Sequence, residues 1–254
     1  MIELSANLGF LWSELSLPDA IRRAGAAGFA AVECHWPYET DAGAVADALA
    51  ETGLPMLSLN TRRGQPGENG LAALPGREGE AREAIGQAFE YGARIGARCV
   101  HVMAGAARGQ AGAEATFLAN LAYAADLACD TGMGVLVEPL NRRDAPGYLH
   151  ATVEEAAALV RQLARPEVRI LFDCYHQQIM GGDLVTRFAA HKDLVGHVQF
   201  AAVPTRAEPD RGEVDYPWLL PALQAAGYAG PFGAEYKPTG ATDDGLAWMR
   251  GFEG

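Results

Sequence analysis

The stretch Gly134-Val135-Leu136-Val137-Glu138, with the later run Val168-Arg169-Ile170-Leu171-Phe172-Asp173, decides the fold. Between these two short apolar runs, Thr152 precedes Glu155 by three residues, the spacing of a capping box, and predicts a helix over Val153–Leu163. Strand, helix and strand in that order make one parallel βαβ unit. Outward from it, similar apolar runs occur at Ile2–Leu8, Ala30–Cys34, Pro55–Leu59, Cys99–Met103, Leu194–Phe200 and Pro231–Ala234. Helical segments separate them. One opens at Leu17-Pro18-Asp19 and closes at Gly25/Gly28; others cover Ala42–Glu51, Glu78–Ile95, Ala113–Cys129, Leu184–His191, Tyr216–Ala226 and Thr242–Phe252. Eight such units at a pitch of about 30 residues are the arithmetic of an α/β protein folded as a single (β/α)8 TIM barrel. One domain over residues 1–254 is expected. A doubly wound open sheet fits less well, because no strand runs into a dinucleotide-binding glycine fingerprint.

The chain carries 20 Lys+Arg against 32 Asp+Glu, a formal net charge of −12. That excess excludes nucleic acid as a partner, since phosphate binding depends on neutralisation by Lys and Arg. It also argues against an anionic membrane surface, and no apolar stretch approaches the ~20 residues of a membrane span. A small anion needs only one or two local cations and stays open. Cys34, Cys99, Cys129 and Cys174 form no CxxC pair, so no zinc ribbon or dithiol motif is offered. Free thiols and no secretory signal at Met1-Ile2-Glu3-Leu4 lead to the expectation of a cytoplasmic protein.

In a barrel of this kind the chemistry gathers where strands end. The fifth strand ends in Glu138, the sixth in Asp173, the seventh in Gln199 and the eighth in Glu235. Any one of these could simply cap the loop that follows. Together they bring three carboxylates and an amide to one rim, where like charges and burial would raise every pKa. A divalent cation removes that conflict. An all-oxygen ligand set without cysteine suits Mg²⁺ or Mn²⁺, with Co²⁺ as a further occupant.

Other rim candidates are Asn7, Glu33, Asn60 and His101, with His101 favoured as a hydrogen-bonded core residue. Trp36 and Tyr38 either wall a pocket or pack over the barrel mouth. His176, three residues after Asp173, is expected to lean over the metal from the sixth loop. The stretch Phe200–Val214 reads as a lid or clamp, in which Arg206 is the natural partner of a substrate carboxylate. Its alternative is a solvated arginine paired with Glu208. Lys237 is a second cation candidate.

The motifs Val137-Glu138-Pro139-Leu140-Asn141, Phe172-Asp173-Cys174-Tyr175-His176, Gly196-His197-Val198-Gln199 and Gly233-Ala234-Glu235-Tyr236-Lys237-Pro238 resemble the metal-site motifs of hydroxypyruvate isomerases. Those enzymes belong to the xylose-isomerase-like barrel superfamily. The likeness continues through Leu74-Pro75-Gly76-Arg77-Glu78, His101-Val102-Met103-Ala104-Gly105 and Gly212-Glu213-Val214-Asp215-Tyr216-Pro217, so it covers essentially the whole chain. It implies a metal at Glu138, Asp173, Gln199 and Glu235, with Glu138 and Glu235 also serving as the catalytic acid–base pair. Related sugar epimerases generally carry histidine where this chain has Gln199, so the glutamine points to the hydroxypyruvate isomerase branch. Two departures bear on the substrate. The family's acidic residue after Gln199 is missing from Phe200-Ala201-Ala202, and the third loop carries Arg62 and Arg63 where an apolar, proline-containing segment is usual.

The implied reaction interconverts hydroxypyruvate and tartronate semialdehyde through an enediolate. Alternatives on the same site are a 2-oxo-tetronate isomerase or a keto-sugar 3-epimerase; a further one is an inactive barrel that binds a sugar acid. A DNA-repair nuclease of the superfamily would need a His-rich multi-zinc site and a basic groove. Six histidines and excess acid set that aside. The expected partner is a small anionic hydroxy or oxo acid. Barrels of this kind often dimerise, which leaves a homodimer as an open expectation.

Overall fold

Eight parallel strands form the structure, a computed structural model that describes residues 2–252. Met1 and residues 253–254 of the expected domain lie outside the described residues. The strands are β1 (Leu4–Asn7), β2 (Ala31–Glu33), β3 (Ser58–Asn60), β4 (Cys99–His101), β5 (Gly134–Val137), β6 (Val168–Asp173), β7 (Val195–Phe200) and β8 (Phe232–Ala234). Each pairs with its neighbours in sequence, and β8 returns to β1. The remaining seam lies between β2 and β3. There Val32 N–H donates to the Pro55 carbonyl at 3.0 Å, and Leu57 N–H donates to the Val32 carbonyl at 2.8 Å. The sheet thereby closes on itself, as the eight-unit arithmetic anticipates.

Local chemistry explains the outer ring of helices. Ser16 caps α1 (Leu17–Ala26) with Pro18 in its first turn. Asp41 caps α2 (Ala42–Thr52), which stops at Gly53 in the left-handed region. The long helices α3 (Glu78–Ile95) and α4 (Ala113–Thr131) end on Gly96 and Gly132 in the same way. The capping box of Thr152 and Glu155 is present in full at the start of α5 (Val153–Leu163).

Two expectations change. The segment after β6 is a helix, α6 (Cys174–Met180), with Asp173 as its N-cap. Strand passes into helix with no intervening loop. The last segment, Thr242–Phe252, winds as a 3₁₀ helix, and Gly245 and Gly251 within it weaken any preference for the wider α form. The other helices are α7 (Leu184–His191) and α8 (Tyr216–Ala225).

Leucine, valine and alanine side chains fill the space between sheet and helices. The barrel's own interior is more polar, with Ser5, Glu33, His197 and Gln199 all buried there. Burying those groups would be costly without partners, and their mutual bonds define the floor of the site.

Candidate active site

Register fixes the strand ends at one level. Asp173 lies opposite Gln199 on the β6–β7 pair, and Gln199 opposite Gly233 on the β7–β8 pair. Glu138 and Glu235 come immediately after β5 and β8. All four predicted side chains are buried. Glu138, Asp173 and His176 can each direct one donor atom to a common point, these atoms lying within 4.8 Å of one another.

Three of the four ligand candidates keep a buried oxygen without a partner, whereas both oxygens of Glu235 are engaged by Asn7, His35 and Arg206. Asp173 Oδ1 accepts the Tyr175 N–H at 2.8 Å as the cap of α6, while Oδ2 has no hydrogen-bond partner. Gln199 donates its Nε2 to Glu33 Oε2 at 2.7 Å, which leaves its Oε1 buried and unpartnered. Glu33 in turn accepts from the Ser5 hydroxyl and sits 3.0 Å from His197 Nε2. This packing requires glycine at 233: a Cβ there would fall 2.4 Å from Glu33 Oε1 and 2.7 Å from Gln199 Cγ. Glu138 Oε1 is likewise buried with no partner. Three orphaned oxygens on adjacent strands fit a hard divalent cation.

The charges give the same result. Burial drives Glu138 well above the usual carboxylate range, reinforced by the negative charges of Glu235 and Asp173. Burial also lifts Asp173 to about 7, against the pull of Arg206 and with further push from Glu235. Burial works on Glu235 too, but is outweighed by Arg206 and His35, which hold it down at about 2. One guanidinium therefore serves three carboxylates and satisfies chiefly one of them.

His176 is part of the cluster, although its protonation argues against a place among the ligands. Its Nδ1 accepts the Asn141 backbone N–H at 2.9 Å, so the neutral ring carries its proton on Nε2. Burial, helped by the nearby Arg206, lowers its pKa to about 3, and the ring is neutral at pH 7. Nε2–H is thus a donor, 3.5 Å from Asp173 Oδ2 and 3.8 Å from Glu138 Oε1. It is better suited to a substrate oxygen than to a metal.

A family model described as xylose isomerase-like TIM barrel matches residues 21–252. The chain belongs to that family. It is 40% identical to the 2-oxo-tetronate isomerase of Cupriavidus necator, with 100% of both chains covered. It is 33% identical to the hydroxypyruvate isomerase of Escherichia coli, with 98% of each chain covered. The crystal structure of an AP endonuclease, family 2, from Brucella melitensis superposes with a TM-score of 0.94, at 40% identity over 98% of both chains. The hydroxypyruvate isomerase resemblance holds over full length, and the chain is an isomerase.

In this isomerase the other predicted residues take particular places. Arg206 descends from the loop after β7 and pairs with Glu235 Oε2, with its Nη2 3.8 Å from Asp173 Oδ2. Phe10 and Tyr175 flank the guanidinium at 5.1 and 5.0 Å. It is not the solvated partner of Glu208, which is buried and accepts the Thr239 N–H at 2.9 Å. Lys237 is exposed, with its Nζ 5.5 Å from the same Phe10 ring. Both cations line a cleft of about 340 Å³, together with Glu138, Glu235, His176 and Asn60. His101 also lines it. The side chain is buried as expected, but the expected hydrogen bonding is not there: its Nε2 is unpartnered and its Nδ1 lies 3.6 Å from Glu138 Oε2. Burial pushes its pKa down to about 4.

Trp36 lines the same cleft, whereas Tyr38 and Arg62 face a neighbouring one. Asn7 donates to Glu235 Oε1 at 3.1 Å, and Glu33, expected at the rim, lies in the layer beneath. Two participants had no assigned role in the sequence: Asn141, which orients His176, and His35, whose Nε2 is 2.9 Å from Glu235 Oε1. In the sequence Asn141 closes the Val137–Asn141 motif and His35 lies just after Glu33, so each is visible only as a neighbour of a stronger candidate.

Proposed function

We propose that this isomerase interconverts hydroxypyruvate and tartronate semialdehyde by proton transfer through an enediolate, in a site that takes Mg²⁺ or Mn²⁺. The carrying observation is the set of buried, unpartnered oxygens on Glu138, Asp173 and Gln199 at adjacent strand ends. These three residues and Glu235 would hold the ion, and Co²⁺ would also be accepted. When bound, a divalent ion supplies Lewis acidity to the oxygens of a carbonyl and its neighbouring hydroxyl.

The chain's own residues supply the proton movements. Carrying the carbonyl from C2 to C3 removes one proton from C3 and adds one to C2, while a proton also passes between the two oxygens. Glu235 and Glu138, immediately after β8 and β5, both line the cleft and serve as base and acid in the forward direction. Their roles exchange in reverse. His176 Nε2–H donates to the oxygen on which charge develops, and the Asn141 bond keeps that proton facing the cleft. Arg206 and Lys237 provide positive charge for a small hydroxy or oxo acid.

The Cupriavidus necator relative supports a second substrate of the same chemistry, a four-carbon 2-oxo-tetronate. A DNA substrate is disfavoured by the net charge of −12. The four free cysteines suit the reducing cytoplasm. No helix among the described residues is long and apolar enough to cross a membrane. Incubation of the Mn²⁺-loaded protein with hydroxypyruvate in D₂O should yield tartronate semialdehyde with deuterium at carbon. Absence of both isomerisation and exchange, on this acid and on 2-oxo-tetronate, overturns the assignment.

A further inference from the structure

Three cations line the cleft: Arg63, Arg206 and Lys237. Arg206 is already engaged by Glu235 and Asp173 on the floor. Arg63 is held differently. Its guanidinium lies 4.8 Å from the centre of the Trp36 ring, and its Nη2 donates to Asn69 Oδ1 at 2.8 Å. Among the described residues no carboxylate pairs with it, which leaves Nε and Nη1 available. Trp36 and Asn69 line the cleft themselves, and Trp36 is anchored by its own Nε1–H to the Thr61 carbonyl at 3.1 Å.

The loop that carries Arg63 is stitched to its neighbours. Gly70 N–H donates to the Arg63 carbonyl at 2.7 Å, and Ala106 N–H to the Glu68 carbonyl at 2.7 Å. Gly70 has a φ of +122°, and a Cβ there would meet the Met103 carbonyl oxygen at 2.3 Å, so the loop lies hard against the segment after β4. A planar fork stacked on an aromatic ring and fixed by an amide loses little freedom on taking a carboxylate. In a chain with 32 acidic residues, a restrained arginine without an acid partner at the mouth of an acidic cleft is a local specialisation.

We propose that Arg63 determines specificity for acids: its guanidinium, seated on Trp36, takes the carboxylate of a three- or four-carbon oxo or hydroxy acid whose other end reaches Glu138 and Asp173. This deepens, and rests on, the isomerase reading above. It makes short acids the substrate class and keto sugars, which lack a carboxylate, poor ligands.

The test is calorimetric titration of the Mn²⁺-loaded protein with tartronate, a three-carbon dicarboxylate that cannot isomerise, alongside hydroxypyruvate kinetics. Arg63→Ala should weaken tartronate by about ten- to a hundredfold, the loss of one charge-assisted contact. The loss in turnover should fall on KM rather than kcat. Arg63→Lys, which keeps the charge, should recover most of the affinity. An Arg63→Ala protein with wild-type Kd and KM overturns the proposal, as does an Arg63→Lys protein as impaired as the alanine variant. Wild-type protein that neither binds tartronate nor acts on hydroxypyruvate would instead bring down the isomerase reading.

Discussion

Gln199 gives its amide nitrogen to Glu33 Oε2 across 2.7 Å, which leaves its oxygen buried and without a partner. An amide has two chemically opposite ends, and the buried glutamate selects between them. Glu33→Gln removes that selection while nearly preserving volume. Affinity for Mn²⁺, measured by calorimetry, should fall by about ten- to a hundredfold, as for other residues that orient a metal ligand.

Glu235→Gln keeps the shape of the side chain and removes the base. Turnover of hydroxypyruvate should drop by at least about a hundredfold. Deuterium incorporation from D₂O should disappear with it, and the melting temperature should also fall, because Arg206 loses its buried carboxylate partner. Wild-type exchange in this variant would remove Glu235 from the acid–base pair.

Cation binding should depend on pH. Burial raises Asp173 to about 7 and Glu138 also upward, so the cation-free fold binds protons that a cation must displace. Apparent Mn²⁺ affinity should rise with pH, by about tenfold per pH unit for each proton displaced, with the Asp173 contribution complete above about 7. Titrations at pH 6 in buffers of different ionisation enthalpy will count those protons. The sign for folding is opposite: a raised carboxyl pKa favours the cation-free fold below the ordinary carboxylate value and loses that contribution as pH climbs through about 7.

Gly233→Ala places a methyl group 2.4 Å from Glu33 Oε1. Overpacking of this kind should cost about 1–3 kcal/mol of stability by denaturant titration. Because the displaced groups are Glu33 and Gln199, Mn²⁺ affinity should fall in the same variant.

Asn141→Gly keeps the backbone N–H that His176 Nδ1 accepts at 2.9 Å and removes the side-chain amide 2.8 Å away. If backbone donation suffices to set the tautomer, kcat should stay within about threefold of wild type, the effect of a weak outer hydrogen bond. His176→Ala should lower kcat by about tenfold or more and spare Mn²⁺ binding, which separates a donor from a ligand.

The barrel was legible because its signals are local: the capping box at Thr152, glycine stops at 53, 96 and 132, and apolar runs of strand length. The four strand-end oxygens followed from knowing where strands finish. What the sequence hid is what depends on distance. Glu33 ends a three-residue strand, and its amide partner lies 166 positions away. Nothing in the sequence near His101 marks the Glu138 carboxylate as its neighbour. The helix after β6 has no signal in the sequence, because Asp173 is both the last residue of a strand and the cap of a helix, so no turn residue announces it.

That direct passage from strand to helix has a consequence for how the enzyme can diversify. Asp173 is fixed by sheet register on one side and by the Tyr175 amide on the other, with no slack in the chain between. An insertion there would shift the carboxylate along the barrel axis, so this corner cannot take part in retuning what is bound. Changes of substrate must instead be written in the segments around Arg63 and Arg206, which can vary in length and charge while the strand ends keep their level.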